Sequence, residues 1–175
     1  MTSGADLLAL ARSLPPDAGT PSLADLDPGM VRAALVGALL PGATAADVPL
    51  IRRLTEEEIA AVAAADAGCG DVLLACCWLL FRLGQVEDSA LVWRAKNLNF
   101  DAHCLIDSVF LLPQGVAATV EFARAAGLED LLEWVAGDWR CDPDEEAQRW
   151  RTSSFFDEVP PAHTPVAELA AWFPS

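Results

Sequence analysis

Apolar residues along this chain recur every three or four positions, the repeat of a helix face, and nowhere alternate over the length a half-buried strand needs. The densest run is GDVLLACCWLLFRLG, Gly70 to Gly84, in which the eleven residues from Val72 to Arg82 hold one charge. A helix apolar on every side is buried on every side, so the pattern predicts a central helix over Asp71 to Leu83 that leaves at Gly84. Upstream, Asp6 to Leu14 reads as a short helix ended by Pro15 and Pro16, followed by the loop PPDAGTPS. Asp27 offers an N-cap, Pro28 a first helical residue, and Met30, Val31, Ala34, Leu35, Ala38 and Leu39 a stripe that stops at Pro41-Gly42. Thr44 with Asp47 imitates a capping box ahead of Pro49. Thr55 with Glu58 is a cleaner capping box, which predicts a separate helix over TEEEIAAVAAADAG leaving at Gly68.

Downstream, Glu87 and Asp88 place acid at the start of a helix whose last turn carries Arg94 and Lys96, in the sense its dipole favours. After the cap Asn97-Leu98-Asn99, a stripe of Leu105, Val109 and Leu112 predicts one helix from Phe100 to Leu112, stopped by Pro113. Val116 to Ala126 closes at Gly127 and Leu128 to Ala136 at Gly137. Asp142-Pro143 opens a helix carrying Glu145, Glu146 and Trp150, and Thr164-Pro165 opens a last one to Phe173. Sliding the chain by thirty positions aligns 80–96 with 110–126, matching Val86 with Val116, Ser89 with Thr119, Val92 with Phe122 and Arg94 with Arg124. The expected fold is all-α: a single-domain bundle of antiparallel helical hairpins, HEAT- or TPR-like, over residues 1–175. Within it 1–26 is expected to pack loosely, and 153–175 to form a loop and a short helix. A chain of 175 residues suits one domain with a substantial core.

Charge narrows the function classes. The formal net charge is -15, from 26 acidic and 11 basic residues, and Lys96 is the only lysine. Nucleic-acid binding needs several cations against phosphate, so this balance argues against it and favours a basic partner; the same acidity also serves as solubilising surface. No secretory signal opens MTSGADLLALARSLPP and no window reaches the roughly 20 apolar residues of a membrane span, so a cytoplasmic location is expected. The five cysteines, Cys69, Cys76, Cys77, Cys104 and Cys141, show no CxxC spacing. A disulfide framework is not expected, and Cys76 and Cys77 read as small core residues.

Lys96, Asn97, Asn99, Asp101, His103, Cys104 and Asp107 form the most concentrated polar cluster in the chain. On one continuous helix His103 and Asp107 share a face, so Asp101, His103 and Asp107 are candidates for a metal or general-base site. That chemistry lacks a further ligand or nucleophile: His163 sits in a proline-rich loop, and Cys104 points about 100° from His103 on a helix. The structural alternative asks less. Asn99 caps a helix, Asp101 complements its positive end, and His103 with Asp107 clamps the hairpin. No catalytic residue, metal or cofactor is assigned.

The segment WRAKNLNFDAHCLID, Trp93 to Asp107, resembles the Trp-x-Ala-Lys-x-x-Asn-Phe-Asp stretch of small all-helical bacterial proteins with no assigned activity. The resemblance implies a helical fold and adds nothing on mechanism.

From Glu129 to Glu146 the acids Glu129, Asp130, Glu133, Asp138, Asp142, Asp144, Glu145 and Glu146 are opposed only by Arg140, and Trp134 and Trp139 lie among them, with Trp150 beyond. Aromatic anchors in an acidic rim suit binding of a basic protein, and Glu133, Trp134, Asp138, Trp139, Asp142, Asp144, Glu145, Glu146 and Trp150 are the expected partner-binding residues. The same tryptophans would serve as well to seal the end of the core. The leading expectation is a non-enzymatic acidic module that neutralises a basic protein, in the manner of an immunity protein against a toxin. A helical-repeat scaffold, and an enzyme or metal-binding protein using Asp101, His103 and Asp107, are the alternatives.

Overall fold

The structure, a computed structural model, describes residues 2–15, 18–65, 70–137, 139–153, 155–156 and 158–173, and the regular elements among them are all helices. The helices are α1 (Gly4–Ser13), α2 (Pro28–Leu39), α3 (Val48–Ala65), α4 (Asp71–Leu83), α5 (Asp88–Lys96), α6 (Phe100–Leu105), α7 (Val116–Ala126), α8 (Glu129–Val135), α9 (Pro143–Thr152) and α10 (Val166–Trp172). Short 3-10 turns occupy Ala45–Asp47 and Ser108–Leu111. Among the described residues no strand forms, and Ser3 meets Pro165 in an isolated antiparallel bridge.

Two helices carry the core. In α4 every residue from Leu73 to Phe81 is buried, as its unbroken apolar run requires, and Gly84 ends it at φ 75°, a left-handed conformation that costs glycine nothing. α2 is buried from Ala33 to Leu39 because α1, α3, α4 and α10 all pack on it. Asp27 caps α2 through Met30 N–H, with Pro28 at the first position. Each fully buried leucine or phenylalanine contributes about 1.5–3 kcal/mol. That packing, not intrinsic propensity, holds helices as short as α6, α8 and α10 in place. α1 lies in the stretch expected to pack loosely, yet it buries Leu7, Leu8 and Ala11. Its Gly4 sits so close to α10 that a Cβ there would stand 2.2 Å from Leu169 Cδ1 and 2.9 Å from the Ala162 carbonyl.

Two expected boundaries are corrected. No helix starts at Thr55: α3 runs unbroken from Val48 to Ala65, because Pro49 falls in its first turn, where a missing N–H costs nothing. The Thr55 hydroxyl instead donates to the Ile51 carbonyl at 2.7 Å, and Glu58 pairs with Arg32 of α2. The exit expected at Gly68 lies outside the described residues. Nor is Phe100 to Leu112 one helix. α6 stops at Leu105, Ile106 is extended, the chain resumes as the 3-10 turn, and Leu105 is left exposed instead of facing the core.

The aligned segments 80–96 and 110–126 differ at their starts, the first opening on the last turn of α4 and the second on the end of a 3-10 turn. Their matched hydroxyls nonetheless converge: Ser89 and Thr119 both donate to the Leu111 carbonyl, at 2.8 and 3.1 Å. Beneath α9, Phe81 stacks on Phe110 with centroids 5.4 Å apart, and Trp150 meets Phe110 edge-on at 5.5 Å. Trp150 therefore belongs to the aromatic seal of the core.

Candidate functional site

The break after α6 is where the site begins. Lys96, at the end of α5 and 3% exposed, points its Nζ at the carbonyls of His103 and Ile106, 2.6 and 2.7 Å away. These are acceptors that a helix end leaves unpaired, so the ammonium caps α6 in place of a further turn. Burial pulls the Lys96 pKa below the ordinary lysine value, with Asp107 and Cys104 acting in the opposite direction. Asn99 caps the other end of α6 through Ala102 N–H, Asn97 donates to the Trp93 carbonyl, and Asp101 lies exposed in the first turn. Because the helix ends at Leu105, His103 and Asp107 do not share a helix face. Asp107 accepts from Val109 N–H and starts the 3-10 turn, so the expected clamp is replaced by two separate roles.

His103 turns instead to α8. Its ring meets Trp134 edge-on at 5.3 Å, Trp93 of α5 lies 5.5 Å from the same ring, and Lys96 Nζ is 5.8 Å from its centroid. Two stretches some thirty residues apart in sequence are thereby joined along one groove of about 800 Å³. Its aromatic wall is Trp93, Trp134 and Trp139, with Trp139 Nε1 satisfied by the Val135 carbonyl at 3.0 Å. Asp107, Asp130, Glu133 and Glu146 supply carboxylates to the lining and Arg140 the opposing cation; Ser108, Val109, Gly137 and Cys141 complete it. Glu146 is engaged by Arg149 one turn along α9. Asp130 and Trp134 stand four residues apart on α8 and line the groove together, placing an acid beside a ring left 39% exposed.

The expected partner-binding residues divide. Glu133, Trp134, Trp139 and Glu146 line the groove. Asp142 caps α9 through the N–H groups of Asp144 and Glu145, and Asp144 accepts from Val116 N–H at the start of α7. Glu145 is exposed in the first turn of α9, Trp150 is in the aromatic seal, and Asp138 lies outside the described residues. Trp93 was missed by sequence reasoning, and periodicity carries no signal for it, since only the approach of its ring to Trp134, 5.5 Å away, brings it to the groove. Asp130 and Arg140 were visible in the charge pattern but not as neighbours of Trp93.

Among the described residues no three histidine, cysteine, aspartate or glutamate side chains converge as a metal site requires. Also among them, no helix is long and apolar enough to cross a membrane. Cys76 and Cys77 are buried, burial pushing the Cys76 thiol up, while Cys104 and Cys141 are exposed and free. No protein-family model, curated protein or solved structure matches this chain.

Proposed function

We propose that the chain is a single-domain, non-enzymatic acidic module that binds a basic protein through this groove and neutralises it, as an immunity protein does a toxin. The observation that carries the reading is a wall of three tryptophans set in carboxylates with one opposing cation, on a molecule of net charge -15. Exposed tryptophan supplies the short-range energy of a hot spot, and the acidic field raises the rate at which a basic surface arrives. The same field repels nucleic acid. A cytoplasmic setting belongs to the same proposal. A scaffold of stacked helical hairpins is the second reading, supported by the successive packing of α3 on α4, α4 on α5 and α7 on α8.

The test is capture from host lysate at low and high salt by the parent and by an Asp130→Asn, Glu133→Gln double variant. Both positions are exposed, so the substitutions leave the fold intact. We expect a basic protein held by the parent at low salt, released as salt rises, lost by the variant, and inhibited in its own activity when bound. Equal capture by parent and variant would remove the groove from the interaction, and a captured protein that keeps its full activity would favour the scaffold.

A further inference from the structure

The groove sets tryptophan rings beside carboxylates. Tryptophan faces are negative and attract cations, most strongly where water is excluded. Three such residues meet here, with Asp130 and Glu133 on the helix that presents Trp134. The chain itself already places cations on its rings: Lys96 Nζ stands 5.8 Å from Trp134, Arg82 lies 4.6 Å over Trp78, and Arg151 lies 5.3 Å over Phe81.

What separates guanidinium from ammonium is shape and hydration. A lysine ammonium is compact and strongly hydrated, and within this fold it is buried only where two carbonyls at 2.6 and 2.7 Å replace its water. A guanidinium is flat, weakly hydrated and forked, so it lies on a ring while its edge donates to a neighbouring carboxylate. The four-residue spacing of Asp130 and Trp134 provides that pair of surfaces side by side, and the groove's volume of about 800 Å³ leaves room for an extended segment.

We propose that the groove is an arginine receptor: an arginine of an extended basic segment of the partner stacks on Trp134 and donates to Asp130, with Glu133 taking a second cation beside it. This rests on the basic-partner reading and adds to it that arginine, not net positive charge, is what the groove selects.

The experiment measures binding of end-capped, fluorescein-labelled hexa-arginine and hexa-lysine peptides by anisotropy, at fixed low salt, to the parent and to Trp134→Leu and Asp130→Asn. We expect the parent to bind hexa-arginine more tightly than hexa-lysine, by up to about thirty-fold, the full worth of one cation stacked on a partly desolvated ring. Trp134→Leu should erase that preference while leaving hexa-lysine binding within about twofold, because the charge is unchanged. Asp130→Asn, at an exposed position that does not disturb folding, should weaken hexa-arginine more than hexa-lysine. Equal affinity of the parent for both peptides, or a preference that survives Trp134→Leu, overturns the arginine receptor and leaves the basic-partner reading standing. Binding of neither peptide overturns both.

Discussion

Two buried aspartates show how the same ion pair takes opposite signs. Asp47 is 1% exposed, and its burial works to raise its pKa. Arg12 Nε and Nη2 at 2.7 and 3.0 Å, with the Thr44 N–H at 2.8 Å and its hydroxyl at 3.1 Å, overcome that and hold the carboxyl below the usual range. Asp88 is 3% exposed and pairs with Arg52 through one oxygen only; its Oδ2 has no partner, so burial prevails over the pair and raises the pKa, with Glu87 adding to it. The folded chain thus releases the Asp47 proton earlier than the unfolded chain does, and its stabilisation is present above the ordinary value of 3.8 and lost as pH falls through the lowered one. Asp88 keeps its proton longer when folded, so its contribution is present below 3.8 and lost as pH rises through the raised value. In urea midpoints taken between roughly pH 3 and 6, the deficit of Asp47→Asn should grow with pH and that of Asp88→Asn should shrink. Parallel profiles for the two variants would contradict this assignment.

At the scale of the element, α6 shows that a helix can be ended by a side chain from its neighbour. Lys96 closes the carbonyls of His103 and Ile106, and no glycine or proline marks the stop. Lys96→Met keeps the apolar stem but leaves the buried Ile106 carbonyl unpaired, which costs about 1–3 kcal/mol and should appear in denaturant unfolding; loss of the His103 and Trp93 contacts should shift Trp134 fluorescence at the same time. A variant with parental stability would show that the lysine is not the cap. This is also why sequence reasoning succeeded for α4 and failed here. Gly70 and Gly84 punctuate α4 locally, and its apolar run needs no partner to identify it. The end of α6 depends on a cation seven and ten residues upstream, and side-chain periodicity does not register which carbonyls a distant ammonium will reach. Similarly, the sequence of α3 suggests a break at Thr55 because a capping box and a mid-helix threonine with a glutamate three residues on are the same letters; only the Ile51 carbonyl as acceptor distinguishes them. The groove was legible as composition in 129–146 and illegible as a place, because one of the three tryptophans of its wall, Trp93, comes from α5.

Across the whole molecule most of the scarce cations are engaged by the chain's own carboxylates and rings. Arg12, Arg32, Arg52, Arg94 and Arg149 each pair with a carboxylate, Arg82 and Arg151 lie over rings, and Lys96 is enclosed, so the surface left over is acidic. With a net charge of -15, the surface charge left unpaired is mostly negative, which is the field the proposed basic partner would follow. The packing of α10 on α2 has a consequence in time. Gly4 N–H donates to the Thr164 carbonyl and Val166 N–H to the Thr2 carbonyl, and Leu169 packs against Gly4 and Gly37, so the first and last helices close the core together. During synthesis at about 5–20 residues per second, the face of α2 that Leu169 covers waits roughly 7–26 s for its cover. Nascent chains arrested on the ribosome just short of Pro165 should therefore remain protease-sensitive in α1 and α2 and bind a chaperone that recognises apolar segments. Chains arrested after the whole of α10 has cleared the exit tunnel should be resistant. Equal resistance of the two would show that the core closes without its last helix.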